Sequence, residues 1–568
     1  MKQYISNLFT QALTELKNQN IIPETVNVSI ERTRDKNHGD FACNAALILA
    51  KTAAMPPRAL AEKIIKQLNN NNPAIKKFEI AGPGFINVFL TPQAYSKVIT
   101  DILENKDKYG HSNIGAGQSV MIEFVSANPT GPLHVGHGRG AAYGAALANL
   151  LSAVSYKVHK EYYINDAGRQ MDILAISVWL RYLELAGETL NFPANAYQGD
   201  YIWDIAASLH REQGDKWRHT SSVVFDNLPD IADKELHIDG LIQRCQQLLG
   251  ESEYKIIFQR ALDVITENIR LDLEQFGVVY DQWFPESRLT SCIDRLAEHT
   301  YKKDGALWFK STTFGDEKDR VLVRDNGQFT YFASDVAYHL NKFERNFDKI
   351  INIWGADHHG YVARVKAAIT ALGMDAERLK VLLVQFAALY RGKERLKMST
   401  RSGEFVTLRE LRQEVGTDAA RFFYIQRKSE QHLNFDLELA KSQSNENPIY
   451  YIQYAHARIS SVFRKLDNIK YENANLELLS NKHEQALFVT LSRYPEMIEN
   501  AAAVYEPHQI TYYLRELAQQ FHTFYDANKI LIDDQDDLRN ARLSLIAAIQ
   551  QVLRNGLTII GVKAPEVM

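Results

Sequence analysis

Two histidines, His134 and His137, stand three positions apart in the run Ala127-Asn128-Pro129-Thr130-Gly131-Pro132-Leu133-His134-Val135-Gly136-His137. An apolar run from Val120 to Val125 precedes it and small residues from Gly138 to Ala153 follow, so the segment reads as the turn between a strand and a helix. At a helix start, unpaired backbone N–H groups and the helix dipole attract anions. Two imidazoles on one face of the first turn can add hydrogen bonds to phosphate oxygens, and Gly136 leaves room for a flat base. The same spacing also suits a capping turn in which the two rings merely pack.

Two further segments suit the same chemistry. In Arg395-Leu396-Lys397-Met398-Ser399-Thr400-Arg401-Ser402-Gly403 a cation on a flexible loop can close on a pentavalent phosphorus and its leaving pyrophosphate and lower the barrier; a solvated basic turn is the plainer reading. Trp354-Gly355-Ala356-Asp357-His358-His359 follows another apolar strand. A carboxylate at a strand's C-terminal end can accept both ribose hydroxyls, or it can cap the helix that follows.

The first segment resembles the nucleotide-binding HIGH element of class I aminoacyl-tRNA synthetases, the second their mobile KMSKS loop, the third their GxD segment. Lys397, Met398 and Ser399 follow the family pattern, but Thr400 occupies the position of its second lysine. The load would then move to Lys397, with Lys393, Arg395 or Arg401 in support. The resemblance implies catalysis by His134, His137 and Lys397, with ATP held by Gly136, Gly355, Asp357, Met398 and Ser399.

These motifs leave the amino acid open. A guanidinium, planar and carrying five donors, is best held by carboxylates that accept in pairs. Glu123 lies inside the apolar strand that leads to His134, where alternation either buries it against a partner or turns it to solvent; Asp335 closes Thr330-Tyr331-Phe332-Ala333-Ser334-Asp335. The spacing Glu123, Asn128, His134, His137 and the pair Tyr331, Asp335 are similar to arginyl-tRNA synthetases. That likeness implies arginine contacts from Glu123, Ser126, Asn128, Tyr331 and Asp335, and places Asn165 to Gln170 near the site.

The elements that must position these residues suggest an α/β protein. Strand patterns at Val120–Val125, Val158–Ile164, Arg320–Arg324, Ile350–Trp354 and Val381–Phe386, separated by helical stretches, predict a Rossmann-like parallel sheet spanning 111–390, with a helical insertion over about 185–285. Residues 1–110 read as a small additional α/β domain, with strands at Val26–Arg32 and Phe85–Leu90, a helix at Ala42–Ala53 and a tight turn at Ala81–Gly84. Residues 391–445 carry the loop and connecting helices, and 446–568 read as all-α. The segments His38–Asn44 and Gly82–Asn87 resemble the additional domain of this one synthetase, which meets the tRNA elbow, and Asn447–Arg458 resembles the entry to its anticodon-binding domain. Tyr451, Tyr454 and Arg458 there offer stacking faces and a cation for unstacked bases, although tyrosines at helical spacing also suit a core.

Composition sets the outer limits. With 568 residues, 45% hydrophobic and 24% charged, the chain is an ordinary globular protein of roughly three or four domains. A net charge of -4 confines any nucleic-acid surface to a local patch. Three scattered cysteines suit free thiols and no structural zinc, and neither a signal peptide nor a run of ~18 apolar residues is seen, so a cytoplasmic protein without membrane attachment is expected. The likeness further implies ATP with Mg2+, L-arginine and the tRNA for arginine as partners, and a monomer. The absence of a thiol cluster disfavours the cysteine enzyme, and the lack of room for an editing insertion disfavours those for isoleucine, valine and leucine. A tRNA-binding relative without catalysis stays open because of Thr400.

Overall fold

The computed structural model describes every residue except 34, 69–71, 397–404, 467–470, 472 and 473, together with the side chain of Lys36. The N-terminal unit is an antiparallel sheet of β1 (Ile30–Arg32), β2 (Phe41–Cys43), β3 (Ile75–Ala81) and β4 (Phe85–Leu90) in the order β1-β2-β4-β3, packed on the helices Lys2–Asn18 and Pro57–Leu68. Its first strand is shorter than Val26–Arg32 because β2 offers only three residues to pair with. The stretch read as one helix from Ala42 splits: Phe41 and Cys43 alternate into the core as a strand, and a helix runs only from Ala45 to Leu49. The tight turn after Ala81 forms, and a Cβ on Gly84 would meet Pro57 at 2.9 Å.

The second unit holds β5 (Ser119–Phe124), β6 (Lys157–Ile164) and β7 (Gln282–Pro285), then an antiparallel trio β8 (Thr300–Lys303), β9 (Ala306–Phe309) and β10 (Arg320–Val323), then β11 (Lys349–Gly355) and β12 (Leu379–Val384). The large sheet is parallel throughout, in the order β12-β11-β5-β6-β7. From β5 the chain builds outward through β6 and β7, then returns to add β11 on the other side. A crevice opens at the carboxyl ends of strands where the order reverses. Here that point lies between β5 and β11, where the His134 and Asp357 segments emerge. Arg320–Arg324 is not part of this sheet: its strand pairs antiparallel with β9, and the fifth parallel strand is β7. Between β6 and β7 stand the helices Arg169–Leu185, Asp200–Gln213, Ser221–Val224 and Lys234–Gln275, the last broken at Gly250, whose φ is +72°.

Beyond β12 come β13 (Ala387–Arg391), β14 (Glu394–Arg395) and β15 (Leu433–Asp436). β15 is a strand within the stretch 391–445, for which the sequence suggests only a loop and connecting helices; its Leu433 and Phe435 alternate inward as it pairs parallel with β13. The helices Leu408–Val415 and Thr417–Ile425 lead to a C-terminal bundle of Pro448–Phe463, Lys482–Ala503, His508–Ala527 and Asp536–Ile559. One buried guanidinium sews bundle to catalytic unit: Arg421 donates to the carbonyls of Phe276 (2.8 Å), Gly277 (3.1 Å) and Ile560 (3.2 Å). A Cβ on Gly561 would lie 2.2 Å from Arg421 Nη2, and its φ of +69° also calls for glycine. The N-terminal unit docks on the same bundle through a two-pronged pair between Arg32 and Glu496, at 2.9 Å for each oxygen.

Candidate active site

β5 ends at Phe124, and the next two residues, Val125 and Ser126, both have positive φ, +70° and +42°. A β-branched residue there is rare and signals a backbone held by its surroundings. The twist turns Ser126 back so that its Oγ donates to Glu123 Oε1 at 2.8 Å and accepts from the Tyr163 N–H at 3.1 Å.

The helix Val135–Ala153 then starts at His134, whose Nδ1 accepts the Gly136 N–H at 3.0 Å, while His137 Nδ1 accepts the His134 N–H at 3.3 Å. The rings stack with centroids 3.8 Å apart. Burial lowers the affinity of both for protons, and His137, with His134 beside it, falls to about 3. Each ring is neutral and uses Nδ1 as acceptor, so its single proton sits on Nε2. Capping and phosphate donation are therefore compatible: the cap fixes the tautomer that leaves two Nε2–H donors. Gly136 serves the rings first, because a Cβ there would stand 2.7 Å from His134 Cε1.

Across the crevice Gly355 ends β11 and precedes a short 3-10 helix, Ala356–Tyr361. Asp357 is exposed and makes no capping bond, which removes the capping reading. A Cβ on Gly355 would meet Asp357 Oδ1 at 2.5 Å. Between the two glycines stands Phe386, half exposed, whose ring lies 3.5 Å and 3.6 Å from the Cβ positions of Gly136 and Gly355. The sequence pattern marks it only as the end of a strand, yet it forms a flat wall suited to a base. Arg139 holds the preceding residue in place by donating to the Gln385 carbonyl at 2.7 Å. Lys397, Met398, Ser399 and Thr400 fall outside the described residues. On one side Leu396 donates to the Leu389 carbonyl, and on the other the Phe405 ring meets His134 edge-on at 5.9 Å.

Deeper in the crevice a polar row crosses the sheet, for the register places Asn352, Glu123, Glu161 and Gln282 side by side on β11, β5, β6 and β7. The helix Tyr331–Glu344 lies over it. Lys342, fully buried, donates to Glu123 Oε2 (2.5 Å) and Asn352 Oδ1 (2.8 Å), while Arg345 grips Glu161 with two bonds of 2.5 and 2.8 Å. Burial alone would raise Glu161, but bonds from Arg345, His159 and Tyr338 hold it down at about 2. The solvent-facing alternative for Glu123 is thus removed.

Asp335 occupies the same helix. Burial raises its proton affinity, with nearby Glu123 and Glu286 adding to the effect and a Tyr361 hydrogen bond opposing it, so that it reaches about 6. Glu286, just after β7, is also raised by burial despite bonds from Ser334 and Tyr163. No reading of the sequence picked it out. Tyr331 is exposed one turn before Asp335, and Asn128 donates to Gln170 Oε1 at 2.7 Å, which brings the Asn165–Gln170 segment to the site.

Tyr451, Tyr454 and Arg458 lie apart from this crevice on the helix Pro448–Phe463. Tyr454 stacks between Tyr450 and His522, and Arg458 covers Tyr525 at 3.8 Å. Tyr451 packs inward on His522 at 4.5 Å. Among the described residues no group of three or more His, Cys, Asp or Glu is placed to hold a metal, and no helix is long and apolar enough to cross a membrane.

Family models match along the whole chain: an arginyl tRNA synthetase N-terminal domain over residues 3–90, a class I (R) tRNA synthetase catalytic domain over 98–461 and a DALR anticodon binding domain over 452–568. An arginine–tRNA ligase of Thioalkalivibrio sulfidiphilus is 58% identical over 588 aligned residues, and one of Legionella pneumophila (strain Corby) is 53% identical, each covering 100% of both chains. The structure of Thermus thermophilus arginyl-tRNA synthetase superposes over 100% of both chains with a TM-score of 0.74 at 21% identity, a likeness of fold. The parallel sheet, its flanking domains and these matches together place the chain in the arginyl-tRNA synthetase family of class I aminoacyl-tRNA synthetases.

Proposed function

We propose the following division of labour for the arginine–tRNA ligase reaction of this chain. ATP, as its magnesium complex, enters the crevice with its adenine against Phe386, beside Gly136 and Gly355, and its ribose hydroxyls toward Asp357. The Nε2–H groups of His134 and His137 and the N-terminus of their helix meet the phosphates. Arginine lies deeper, its guanidinium toward Asp335, Glu123 and Glu286, with Tyr331 at the rim and Ser126 and Asn128 nearer its backbone. The arginine carboxylate attacks the α-phosphorus and pyrophosphate leaves, its growing charge met by the imidazoles and by Lys397, aided by Met398 and Ser399. The 3′-terminal ribose hydroxyl of tRNA then attacks the arginyl carbonyl and AMP departs. Tyr454 and Arg458, with Tyr451 behind them, face the anticodon loop.

One observation carries this reading. Two neutral imidazoles with free Nε2–H donors stand at the mouth of a crevice in whose depth Glu161 is matched by Arg345 and Glu123 by Lys342, while Asp335 and Glu286 have no cationic partner among the described residues. The surplus negative charge suits a cationic side chain. ATP–pyrophosphate exchange measured for each amino acid, with and without tRNA, tests it: exchange is expected with arginine alone and only when tRNA is added. Exchange driven by another amino acid would overturn the pocket assignment, and full exchange in Lys397→Ala would remove Lys397 from the catalytic set.

A further inference from the structure

Lys342 is a cation buried beneath a pocket meant for another cation. Its three donor directions are all used: toward Glu123 Oε2, toward Asn352 Oδ1 and over the face of Tyr338, whose centre is 4.2 Å away. Burying an ammonium is costly unless it is paired, and a packed apolar side chain would hold this helix to the sheet at least as well. Stability therefore gives a poor account of why a lysine stands here.

The geometry offers another account. A carboxylate can accept about four hydrogen bonds, and Glu123 is seen with two, from Lys342 and from Ser126 Oγ. It keeps capacity for a guanidinium. Lys342 also shares its helix with Asp335, two turns earlier, and residues seven apart lie on one face. Where Lys342 is pinned to β5 and β11, Asp335 is carried to a fixed height above Glu123.

We propose that Lys342 is a positioning residue for arginine recognition: it supplies the counter-charge to Glu123 and, through the shared helix, sets the spacing between Glu123 and Asp335. The inference rests on Glu123 being an arginine contact. The charged and titratable groups around Glu123 are Asp335, Tyr338, His339 and Lys342 of the covering helix, Glu161 of β6 with its partner Arg345, Tyr163 of β6 and Tyr280 ahead of β7. Among the described residues Lys342 is the cation bonded to Glu123, while Arg345 is taken up by Glu161. Without it, a buried carboxylate beside Asp335 is expected to take up a proton.

The test compares Lys342→Met, Lys342→Arg and the double variant Lys342→Met/Glu123→Gln in tRNA-dependent ATP–pyrophosphate exchange, with thermal unfolding in parallel. Lys342→Met is expected to raise the arginine KM by about 30-fold or more, the low end for breaking a buried charged pair. The ATP KM and the kcat at saturating arginine should stay within a few-fold, and the arginine KM should fall as pH rises, a dependence the parent lacks above neutrality. The double variant should recover the parent Tm and keep a high arginine KM that no longer responds to pH there. Lys342→Arg should keep the flat pH profile, because its charge is permanent, and raise the arginine KM through its changed reach.

A double variant with the parent's KM would show that Glu123 is not an arginine contact, and the reading beneath the inference would fail. A high KM in the double variant beside a normal, pH-independent KM in Lys342→Met would overturn Lys342 alone. Should Lys342→Met not fold, Lys342→Arg decides: an unchanged arginine KM would rule out the spacing role.

Discussion

The phenol of Tyr361 donates to the Asp335 carboxylate, joining the short helix that carries Asp357 to the pocket that faces arginine. The two halves of the site therefore share a hydrogen bond. The other Asp335 oxygen, Oδ1, has none among the described residues.

Arginine affinity is expected to depend on pH through Asp335. Its proton affinity is raised by burial to about 6, and a guanidinium binds the ionised form. The arginine Kd should rise toward tenfold per unit as pH falls below about 6, and binding near pH 6 should release a proton, seen by calorimetry in buffers of different ionisation heat. Asp335→Asn should weaken arginine by about 2–5 kcal/mol and abolish the dependence. Tyr361→Phe removes the bond that favours the carboxylate, so the acid limb should move to higher pH by about one unit or more. A limb that stays in place would unseat Asp335 as the group titrating.

Each histidine Nδ1 carries structure and each Nε2–H is free for chemistry. Asn at position 134 keeps a side-chain acceptor suited to an N-cap and loses the distal donor. His134→Asn should lower kcat for exchange by about 10²–10³ while costing under about 1 kcal/mol of stability. Loss of kcat only in step with loss of Tm would mean that the ring serves the cap alone.

Acid should destabilise the fold through buried neutral histidines. His137 and His339 are both lowered to about 3, each by burial first, with His134 beside the former and Lys342 beside the latter. A depressed folded value means that the stabilisation is present above the unfolded value near 6.5 and is lost as pH falls. Between pH 6.5 and 5 each should cost about 2 kcal/mol. Urea midpoints across that range should fall less steeply for His339→Gln than for the parent.

Arg421→Met should strip three buried carbonyls, from Phe276, Gly277 and Ile560, of their donor. A loss of about 2–4 kcal/mol is expected. It should appear as proteolytic cutting where the bundle meets the catalytic unit, and cutting confined to the N-terminal domain would contradict it.

What sequence reveals here depends on how local the cause is. His134, His137 and Asp357 sit in short segments whose chemistry needs only strand, turn and helix in order, and those segments do meet in one crevice. Lys342 could not be found this way. A lysine within the covering helix reads as a solvated charge, and its partners Glu123 and Asn352 lie 219 and 10 residues away. Glu286 was hidden because β7 is four residues long and trails a helical insertion, so nothing announced a strand end there. Tyr451 and Tyr454 look alike in the pattern and both pack on His522, and only the fold shows that Tyr451 also packs on the core while Tyr454 is exposed.

The row Asn352, Glu123, Glu161 and Gln282 also bears on how the sheet finds its alignment. Parallel strands rich in Val, Ile and Leu offer many near-equal ways to slide, since one apolar rung resembles the next. Displacing β5 by one residue would turn Glu123 to the opposite face, away from Lys342, and displacing β6 would do the same to Glu161 and Arg345. Each misalignment strands a charge in the interior. The polar rungs are therefore expected to penalise slipped registers, and replacing both pairs by apolar residues should yield a sheet that is stable yet samples more than one register.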